Sequence, residues 1–259
     1  MFEIRRYTPA SEQAWNTFVA QSKNGTFLFD RLYMDYHADR FHDHSLMFCR
    51  DDKVYALFPA NEREQVLYSH QGLTYGGLLM GEEATTVHVM ECFQLLRDYL
   101  LAHSFQRVVY KAIPWIYHQI PAEEPLYAMY RVFDYQLLER DVSSTIVLSR
   151  PLKWKKDRRH GLRVAGDHGI RVERSDDYAG FWRILERNLR MRHGVSPVHS
   201  LDEILLLRQR FPASIVLYVA RKDEQMMGGC VIYVTSQVVH TQYIAATEEG
   251  KRLGGVNAI

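Results

Sequence analysis

An aromatic, glycine-rich loop is the first place where the chain could bind a ligand. His70, Gln71 and Tyr75 lie in the stretch SHQGLTYGG, directly after a predicted β-strand. Loops that follow strands often carry binding residues, and glycine lets a ligand approach the backbone closely. The same composition also fits a tight turn with a tyrosine in the core. The sequence leaves both interpretations open.

Lys111 is the charged residue of an otherwise apolar run, VVYKAI. The alternation of a strand places it on the face that carries Val109 and Ile113. A lysine in that position either extends to the edge of a sheet or points into a cleft as an anion contact. We favour the edge, and we keep Lys111 as a candidate contact for a substrate.

Acids and histidines are clustered between residues 35 and 44, yet we expect no metal site there. The cluster consists of Asp35, His37, Asp39, His42, Asp43 and His44. Its spacing matches no known ligand motif, and a solvated end of the second predicted helix is enough to explain the acids. No Ser-His-acid or Cys-His arrangement can be distinguished from chance, and the sequence contains no Walker A or G-x-G-x-x-G stretch. Kinase and dehydrogenase functions are therefore unsupported, and the catalytic residues stay unknown.

The most basic stretch of the chain, KWKKDRRH, runs from Lys153 to His160. Such a run is usually a solvated helix face or a linker. The alternative is a contact with the phosphate of a coenzyme or of an RNA end, which cations beside Trp154 would suit.

Composition narrows the class of protein. The 259 residues are 47% hydrophobic and 24% charged, which is typical of a globular protein with a sizeable core. The net charge of +1 argues against a dedicated nucleic-acid binder. The three cysteines lack C-x-x-C spacing, so we expect buried thiols. No apolar run is long enough to span a membrane, and the first residues do not look like a signal peptide, so a cytoplasmic location is expected.

Hydrophobic periodicity predicts the same order of elements twice. The first copy is predicted to have strands at 4–7, 45–50, 54–60, 66–71 and 107–112, helices from 11, at 27–41, 86–102 and 123–131, and a final β pair at 135–139 and 145–148. The second copy is predicted to have a strand at 170–174, two helices, and strands at 215–221, 227–235 and 238–245. Ser200 and Glu203 form a capping-box signature for its second helix. Trp15 matches Trp182 at an offset near 170 residues, which indicates two copies of one α/β unit.

This order, together with the stretches NGTFLF, YSHQGLTYGG and YKAIP, resembles the GCN5-related N-acetyltransferase (GNAT) fold. Two such units with a basic joint are similar to the Fem-type peptidoglycan aminoacyltransferases, and the resemblance covers nearly the whole chain. It implies an α/β (α+β) protein of two tandem GNAT-like units, each a mixed, largely antiparallel sheet flanked by helices. The expected domains are 1–150, a basic helical joint at 151–169, and 170–259.

The resemblance also implies transfer of an acyl or aminoacyl group to an amine. The second unit would bind most of the donor, and the first unit or the cleft between the units would bind the acceptor. The family's donor loop reads Q/R-x-x-G-x-G/A and cradles a coenzyme pyrophosphate. The residues at the matching place are Ala246, Thr247, Gly250, Lys251 and Arg252. Gly250 fits the pattern, whereas Thr247 and Arg252 depart from it, so a plain strand-to-helix turn is the alternative.

These observations lead to one main hypothesis and two alternatives. The main hypothesis is an N-acyltransferase that moves an acyl group from acyl-CoA, its co-substrate, to a small-molecule or peptide amine, with no tightly bound cofactor. The alternatives are an aminoacyl-tRNA-dependent transferase that acts on a peptidoglycan precursor, and an inactive binding remnant. We further expect the second domain to be C-terminally incomplete, with impaired activity and an exposed sheet edge at which another copy of the chain could pair.

Overall fold

The computed structural model describes residues 1–259 and divides them into two compact units. Unit 1 comprises Met1–Leu138 with Thr235–Val238, and unit 2 comprises Glu139–Val234 with Val239–Ile259. The helices and strands of unit 1 are β1 (Phe2–Arg6), α1 (Glu12–Gln21), α2 (Arg31–Met34), β2 (His42–Asp43), β3 (Leu46–Arg50), β4 (Lys53–Phe58), β5 (Asn61–Arg63), β6 (Val66–Tyr68), β7 (Leu79–Met80), α3 (Thr86–Ala102), β8 (Arg107–Val109) and α4 (Glu124–Val132). Those of unit 2 are α5 (Lys156–Asp167), β9 (Arg171–Ser175), α6 (Tyr178–His193), α7 (Leu201–Arg210), β10 (Ile215–Lys222), β11 (Gln225–Val234), β12 (Val239–Ala246), α8 (Glu248–Arg252) and α9 (Gly255–Ala258).

Unit 1 is built on two four-stranded sheets. The first has the order β1-β3-β4-β7 and is antiparallel throughout. The second has the order β2-β5-β6-β8, and its last pair, β6 with β8, is parallel. The amphipathic helix α3 packs against β1 and α4, and Phe93 of this helix is buried with Phe48 and Phe58 of the sheet. Burial of these aromatic side chains supplies much of the hydrophobic stabilisation of the unit.

A buried ion pair joins the end of α1 to the start of α4. The Nζ atom of Lys23 lies 2.5 Å from Oε1 of Glu124, and the side chains of Lys23 and Glu124 are 4% and 18% exposed. The carbonyl oxygen of Lys23 also accepts the backbone N–H groups of Gln119 and Ile120. The segment that leads into α4 is thus fixed by both the backbone and the side chain of Lys23.

Unit 2 is built on one antiparallel sheet with the order β12-β11-β10-β9, so β12 and β9 are its edge strands. Helix α6 packs on β11 and β12, where Phe181 and Trp182 are buried. Its partner α7 starts with the capping box of Ser200 and Glu203, as the sequence predicted. Helices α5 and α9 pack against each other.

The two units repeat one plan. Strands β1-β3-β4-β7 of unit 1 and β9-β10-β11-β12 of unit 2 occur in the same sheet order and the same direction relative to their neighbours. The matched tryptophans, Trp15 and Trp182, also form the same kind of hydrogen bond, from the indole nitrogen to a backbone carbonyl oxygen. The indole nitrogen of Trp15 donates to the carbonyl oxygen of Phe29 at 2.8 Å, and that of Trp182 donates to the carbonyl oxygen of His199 at 3.2 Å. The prediction of an α/β fold with largely antiparallel sheets flanked by helices is confirmed, and the two units share this plan.

Aspartate residues adopt left-handed backbone conformations in two hairpin turns of the sheets. Asp51 and Asp52 join β3 to β4 with positive φ angles of 49° and 61°, and Asp223 between β10 and β11 has a φ of 51°. Aspartate tolerates the left-handed region better than most residues, and two consecutive left-handed residues match the twist of a hairpin.

The helix predicted over residues 27–41 is wrong as a continuous element. The chain forms a single 3-10 turn at Phe27–Phe29, the four-residue helix α2 and another 3-10 turn at Asp35–His37. Asp30 interrupts the helix because its backbone is extended and its side chain caps α2 by accepting the N–H of Leu32. The buried Arg31 that follows forms ion pairs with two members of the acid cluster, Asp35 and Asp43.

The β pair predicted at 135–139 and 145–148 is also wrong. Neither segment forms a strand, and side chains such as those of Val142 and Leu148 are exposed. Apolar, β-branched residues become a strand only where a sheet offers an edge with which they can pair, and neither segment pairs with one here. The strand predicted at 107–112 is shorter than expected, since β8 ends at Val109 and only a single bridge, between Gly76 and Ala112, continues its line.

Cys49, Cys92 and Cys230 are free thiols in buried positions, as the sequence predicted. None of the helices combines the length and the apolar composition that crossing a membrane requires.

Candidate functional site

An extra residue in β12 bends the strand just before the predicted donor loop. Val231 of β11 faces Tyr243 and its neighbour Ile232 faces Thr241, so Gln242 has no residue opposite it. A β-bulge of this kind disrupts the hydrogen-bond ladder locally and increases the twist of the strand. It sits on an edge strand, where one side of the backbone is not covered by another strand of the sheet.

The predicted donor loop follows directly from the end of β12. Thr247 is the N-cap of α8, and its Oγ1 accepts the backbone N–H of Gly250 at 2.9 Å. The backbone N–H and the hydroxyl of Thr247 both donate to the carbonyl oxygen of Met227 in β11, at 2.8 and 3.2 Å. The turn into α8 is therefore firmly attached to the sheet, and the departure from the family pattern at Thr247 supplies a good helix cap.

Gly250 is buried because α8 packs against the backbone of β11. A Cβ atom at this position would lie 2.1 Å from the carbonyl oxygen of Met227. Ala246, at the other end of the loop, is 1% exposed, and its carbonyl oxygen accepts the side-chain amide of Asn188 on α6 at 2.9 Å. Close packing alone thus accounts for the two small residues of this loop.

Charges of both signs surround the loop. Lys251 forms an ion pair with Glu248 one helical turn before it. That contact lowers the pKa of Glu248 below its ordinary value, and Arg192 and Arg187 of α6 lower it further. Arg252 is exposed. Helix α6 thus adds cations to those of the loop, which the sequence reasoning missed because Arg187 and Arg192 are some sixty residues away in the chain.

A second group that the sequence reasoning missed lies beside the bulge. His199 is 4% exposed, and its Nδ1 atom is 2.5 Å from the hydroxyl oxygen of Tyr243. The ring of Tyr243 meets that of Trp182 edge to face, with the centroids 5.2 Å apart. The sequence contains no signal for this contact, since the three residues come from α6, from the segment before α7 and from β12.

In unit 1, the structure places His70 and Tyr75 in the core. They are 3% and 2% exposed, and the Tyr75 hydroxyl is 3.0 Å from Oγ1 of Thr26. Burial, followed by the nearby His37, lowers the pKa of His70 to about 3. His70 also has a positive φ of 68°, an uncommon conformation for a non-glycine residue. These features fit a tight, buried turn.

Gln71 and Lys111 are the two predicted acceptor-side residues that are exposed. Gln71 is fixed through its backbone N–H and its side-chain oxygen, which both bond to the amide of Asn61. Lys111 lies just beyond the edge strand β8, and its Nζ donates to the carbonyl oxygen of Leu73 at 2.7 Å. Partial burial lowers the pKa of Lys111. The four predicted residues share one loop region, but only these two are exposed there.

One hollow in unit 1 lies between Asn24, Tyr110 and His118. Its volume is about 20 Å³, which admits a water-sized group and no larger substrate.

Comparison with known proteins shows the fold. No protein-family model and no curated protein matches the chain. Among solved structures, the chain is similar to FemX, with 11% sequence identity, a TM-score of 0.59, and coverage of 99% of this chain and 83% of that chain. GCN5-related N-acetyltransferases from Kribbella flavida and Sphaerobacter thermophilus overlap more loosely, with a TM-score of 0.41 for each. Their identities are 11% and 12%, and the matches cover 100% and 99% of this chain and 60% and 80% of those chains. The likeness to FemX gives this chain a GNAT-like, Fem-type fold.

Proposed function

We propose that this chain, which has a GNAT-like, Fem-type fold, is an N-acyltransferase that moves an acyl group from acyl-CoA to an amine. The observation that carries the proposal is the β-bulge at Gln242, five residues before Thr247 on the strand that leads into the predicted donor loop. Unit 2 would bind the donor. The exposed Gln71 and Lys111 of unit 1 are the candidate contacts for a small-molecule or peptide acceptor.

The bulge supports the proposal because acyl transfer needs a hydrogen-bond donor for a developing oxyanion. A neutral amine attacks the thioester carbonyl, and negative charge builds up on the carbonyl oxygen in the transition state. A bulged residue has no partner in the ladder, so its backbone N–H can serve a ligand. Gln242 is the residue of β12 in that situation.

The charges around the loop support an anionic donor only in part. Lys251, Arg252, Arg187 and Arg192 would attract the phosphates of coenzyme A, whereas Glu248 and its neighbour Glu249 would repel them. Cations on α6 shift this balance toward phosphate binding. The backbone N–H of Gly250 already donates to Oγ1 of Thr247 and is not available to a phosphate. The phosphates would therefore bind to the side chains of these cations.

Thermal unfolding with acetyl-CoA and longer acyl-CoAs tests the donor. A ligand at 100 times its dissociation constant stabilises a protein by about 2.7 kcal/mol, which is easily seen as a rise in the unfolding midpoint. The rise should shrink in the double variant Arg187→Ala/Arg252→Ala and persist in a control, Arg63→Ala/Lys53→Ala, in unit 1. Release of free thiol in the presence of hydroxylamine, an amino sugar or a lysine-containing peptide then tests transfer. If no acyl-CoA shifts the midpoint, the proposal is wrong for coenzyme A donors.

The exposed basic stretch supports a second candidate, transfer from aminoacyl-tRNA to a peptidoglycan precursor. Every residue from Lys153 to Arg159 is exposed, including Trp154 at 63%. Cations beside an exposed aromatic side chain suit the phosphates and bases of an RNA end. Binding of tRNA should weaken steeply with salt, and it should be lost in Lys155→Ala/Lys156→Ala/Arg159→Ala but kept in the unit 1 control. Salt-independent or absent binding would remove this candidate.

A further inference from the structure

The hydroxyl of Tyr243 is held by two atoms of a single residue. The backbone N–H of His199 donates to the hydroxyl oxygen at 3.3 Å, and Nδ1 of the same residue lies 2.5 Å from that oxygen. The hydroxyl donates to Nδ1 in the tautomer of His199 that carries its proton on Nε2, and a proton transfer from Tyr243 to His199 requires that tautomer.

Neighbouring side chains hold this pair in place. The indole of Trp182 packs edge-on against Tyr243 and donates to the carbonyl oxygen of His199. His199 is enclosed, whereas Tyr243 is half-buried, so Tyr243 is the more accessible member of the pair.

The pair lies where the chemistry of the proposed function would occur. Tyr243 directly follows the bulged Gln242 and precedes Thr247 by four residues. A strand rises about 3.3 Å per residue, so Tyr243 is roughly 13 Å along β12 from the loop. A donor with its phosphates at the loop and its extended arm along β12 would bring its carbonyl to this part of the strand.

We propose that Tyr243 and His199 form the proton relay of the transfer reaction, an inference that rests on the proposed function. The amine nitrogen forms a bond to the thioester carbonyl carbon and becomes positively charged. It then gives one proton to the oxygen of Tyr243, while the proton of Tyr243 passes to Nδ1 of His199. When the carbon–sulfur bond breaks, the imidazolium returns its proton through Tyr243 to the departing thiolate. The net products are an amide and free coenzyme A thiol.

A carboxylate of α7 acts on the phenol of the relay. Burial raises the pKa of Tyr243, and the negative charge of Glu203 raises it further, so the phenol is kept in its protonated form. The Glu203 side chain also accepts the backbone N–H of Ser200, the residue after His199. The element that packs on the other side, α6, contributes the neutral indole of Trp182.

Two substitutions separate a relay from a purely structural contact. His199→Asn places an amide oxygen where Nδ1 lies and keeps a hydrogen-bond acceptor for Tyr243, but it cannot take up the proton. Tyr243→Phe keeps the ring against Trp182 and removes the hydroxyl. General acid–base groups contribute roughly 10²–10⁴-fold in rate, so kcat with acetyl-CoA and hydroxylamine should fall by that factor in both variants. Stabilisation by acetyl-CoA should stay unchanged. Tyr218→Phe, on β10, is the matched control and should keep wild-type kcat.

The outcomes distinguish failure of the relay from failure of the proposed function. If the wild-type protein transfers acetyl groups and His199→Asn retains kcat within threefold, the relay is overturned and the transferase stands. Nitrogen-15 NMR of the wild-type imidazole should show a proton on Nε2, and a proton on Nδ1 would overturn the relay without any measurement of activity. If the wild-type protein neither binds acetyl-CoA nor transfers its acetyl group, the proposed function is wrong, and the relay, which rests on it, is wrong as well.

Discussion

Gly250 lies directly against Met227, so that a Cβ atom on Gly250 would stand 2.1 Å from the carbonyl oxygen of Met227. The substitution Gly250→Ala should therefore push α8 away from β11 and lower the free energy of unfolding by about 1–3 kcal/mol. Gly166→Ala in α5 is the control, since nothing lies within 4 Å of its Cβ position, and alanine there should stabilise the helix by up to about 1 kcal/mol. Urea unfolding of both variants checks the difference, and equal effects would contradict it.

The two repeated indole hydrogen bonds should contribute similarly to stability. Trp15→Phe and Trp182→Phe would each leave a buried carbonyl group, of Phe29 or His199, without its indole donor. We expect a loss of about 1–3 kcal/mol in each case from the unsatisfied group, in addition to the lost packing. Trp115→Phe is the matched control because Trp115 is 71% exposed, and its effect should be within about 0.5 kcal/mol. Unfolding in urea, followed by circular dichroism, measures all three.

Removing one partner of the Lys23–Glu124 ion pair should destabilise the protein strongly, whereas replacing both partners with apolar residues should destabilise it little. Lys23→Met leaves the Glu124 carboxylate mostly buried without its cation, and removing one partner of a buried pair costs about 3–5 kcal/mol. The double variant Lys23→Met/Glu124→Leu should lose much less than the two single variants together. A double-mutant cycle by thermal unfolding measures the coupling. Additive losses would show that the pair contributes no interaction energy.

Acid should destabilise unit 1 through His70. Its pKa is about 3 in the folded protein, against an ordinary value of 6.5, so the unfolded chain binds a proton in this window and the folded chain does not. The free energy of unfolding keeps its full value, as far as His70 is concerned, above pH 6.5. It falls by about 1.4 kcal/mol for each pH unit from there down to about pH 3. His70→Asn tolerates the positive φ and does not titrate. Its stability relative to wild type should therefore rise as the pH falls, and parallel pH profiles would contradict this.

Residue patterns predicted the elements whose partners are near in the chain. Helix α3 begins and ends at the residues that its periodicity indicates, and the capping box of Ser200 and Glu203 is present in full. The alternative of a tight turn around Tyr75 describes what the structure shows in unit 1. These features depend on spacing, caps and turn chemistry, which are local properties of a sequence.

Features that depend on distant partners could not be predicted. The apolar residues around Val142 and Leu148 have strand-like composition, but only a sheet edge could make them a strand. The bulge at Gln242 appears only when β12 is set against β11. Likewise, His199 and Tyr243 are in contact although they are 44 positions apart in the chain, and no sequence motif predicts this contact. The residues of the predicted donor loop lie together in the structure because they are contiguous in the chain.

The four tryptophans provide each unit with its own optical probe. Trp15 in unit 1 and Trp182 in unit 2 are buried, while Trp115 and Trp154 are exposed in the same two units. Indole emission shifts to longer wavelength when water surrounds the ring, so a chain that keeps Trp15 alone would report the opening of the first repeat, and a chain that keeps Trp182 alone would report that of the second. The presence of one buried tryptophan in each unit thus lets the folding of the two units be followed separately by fluorescence.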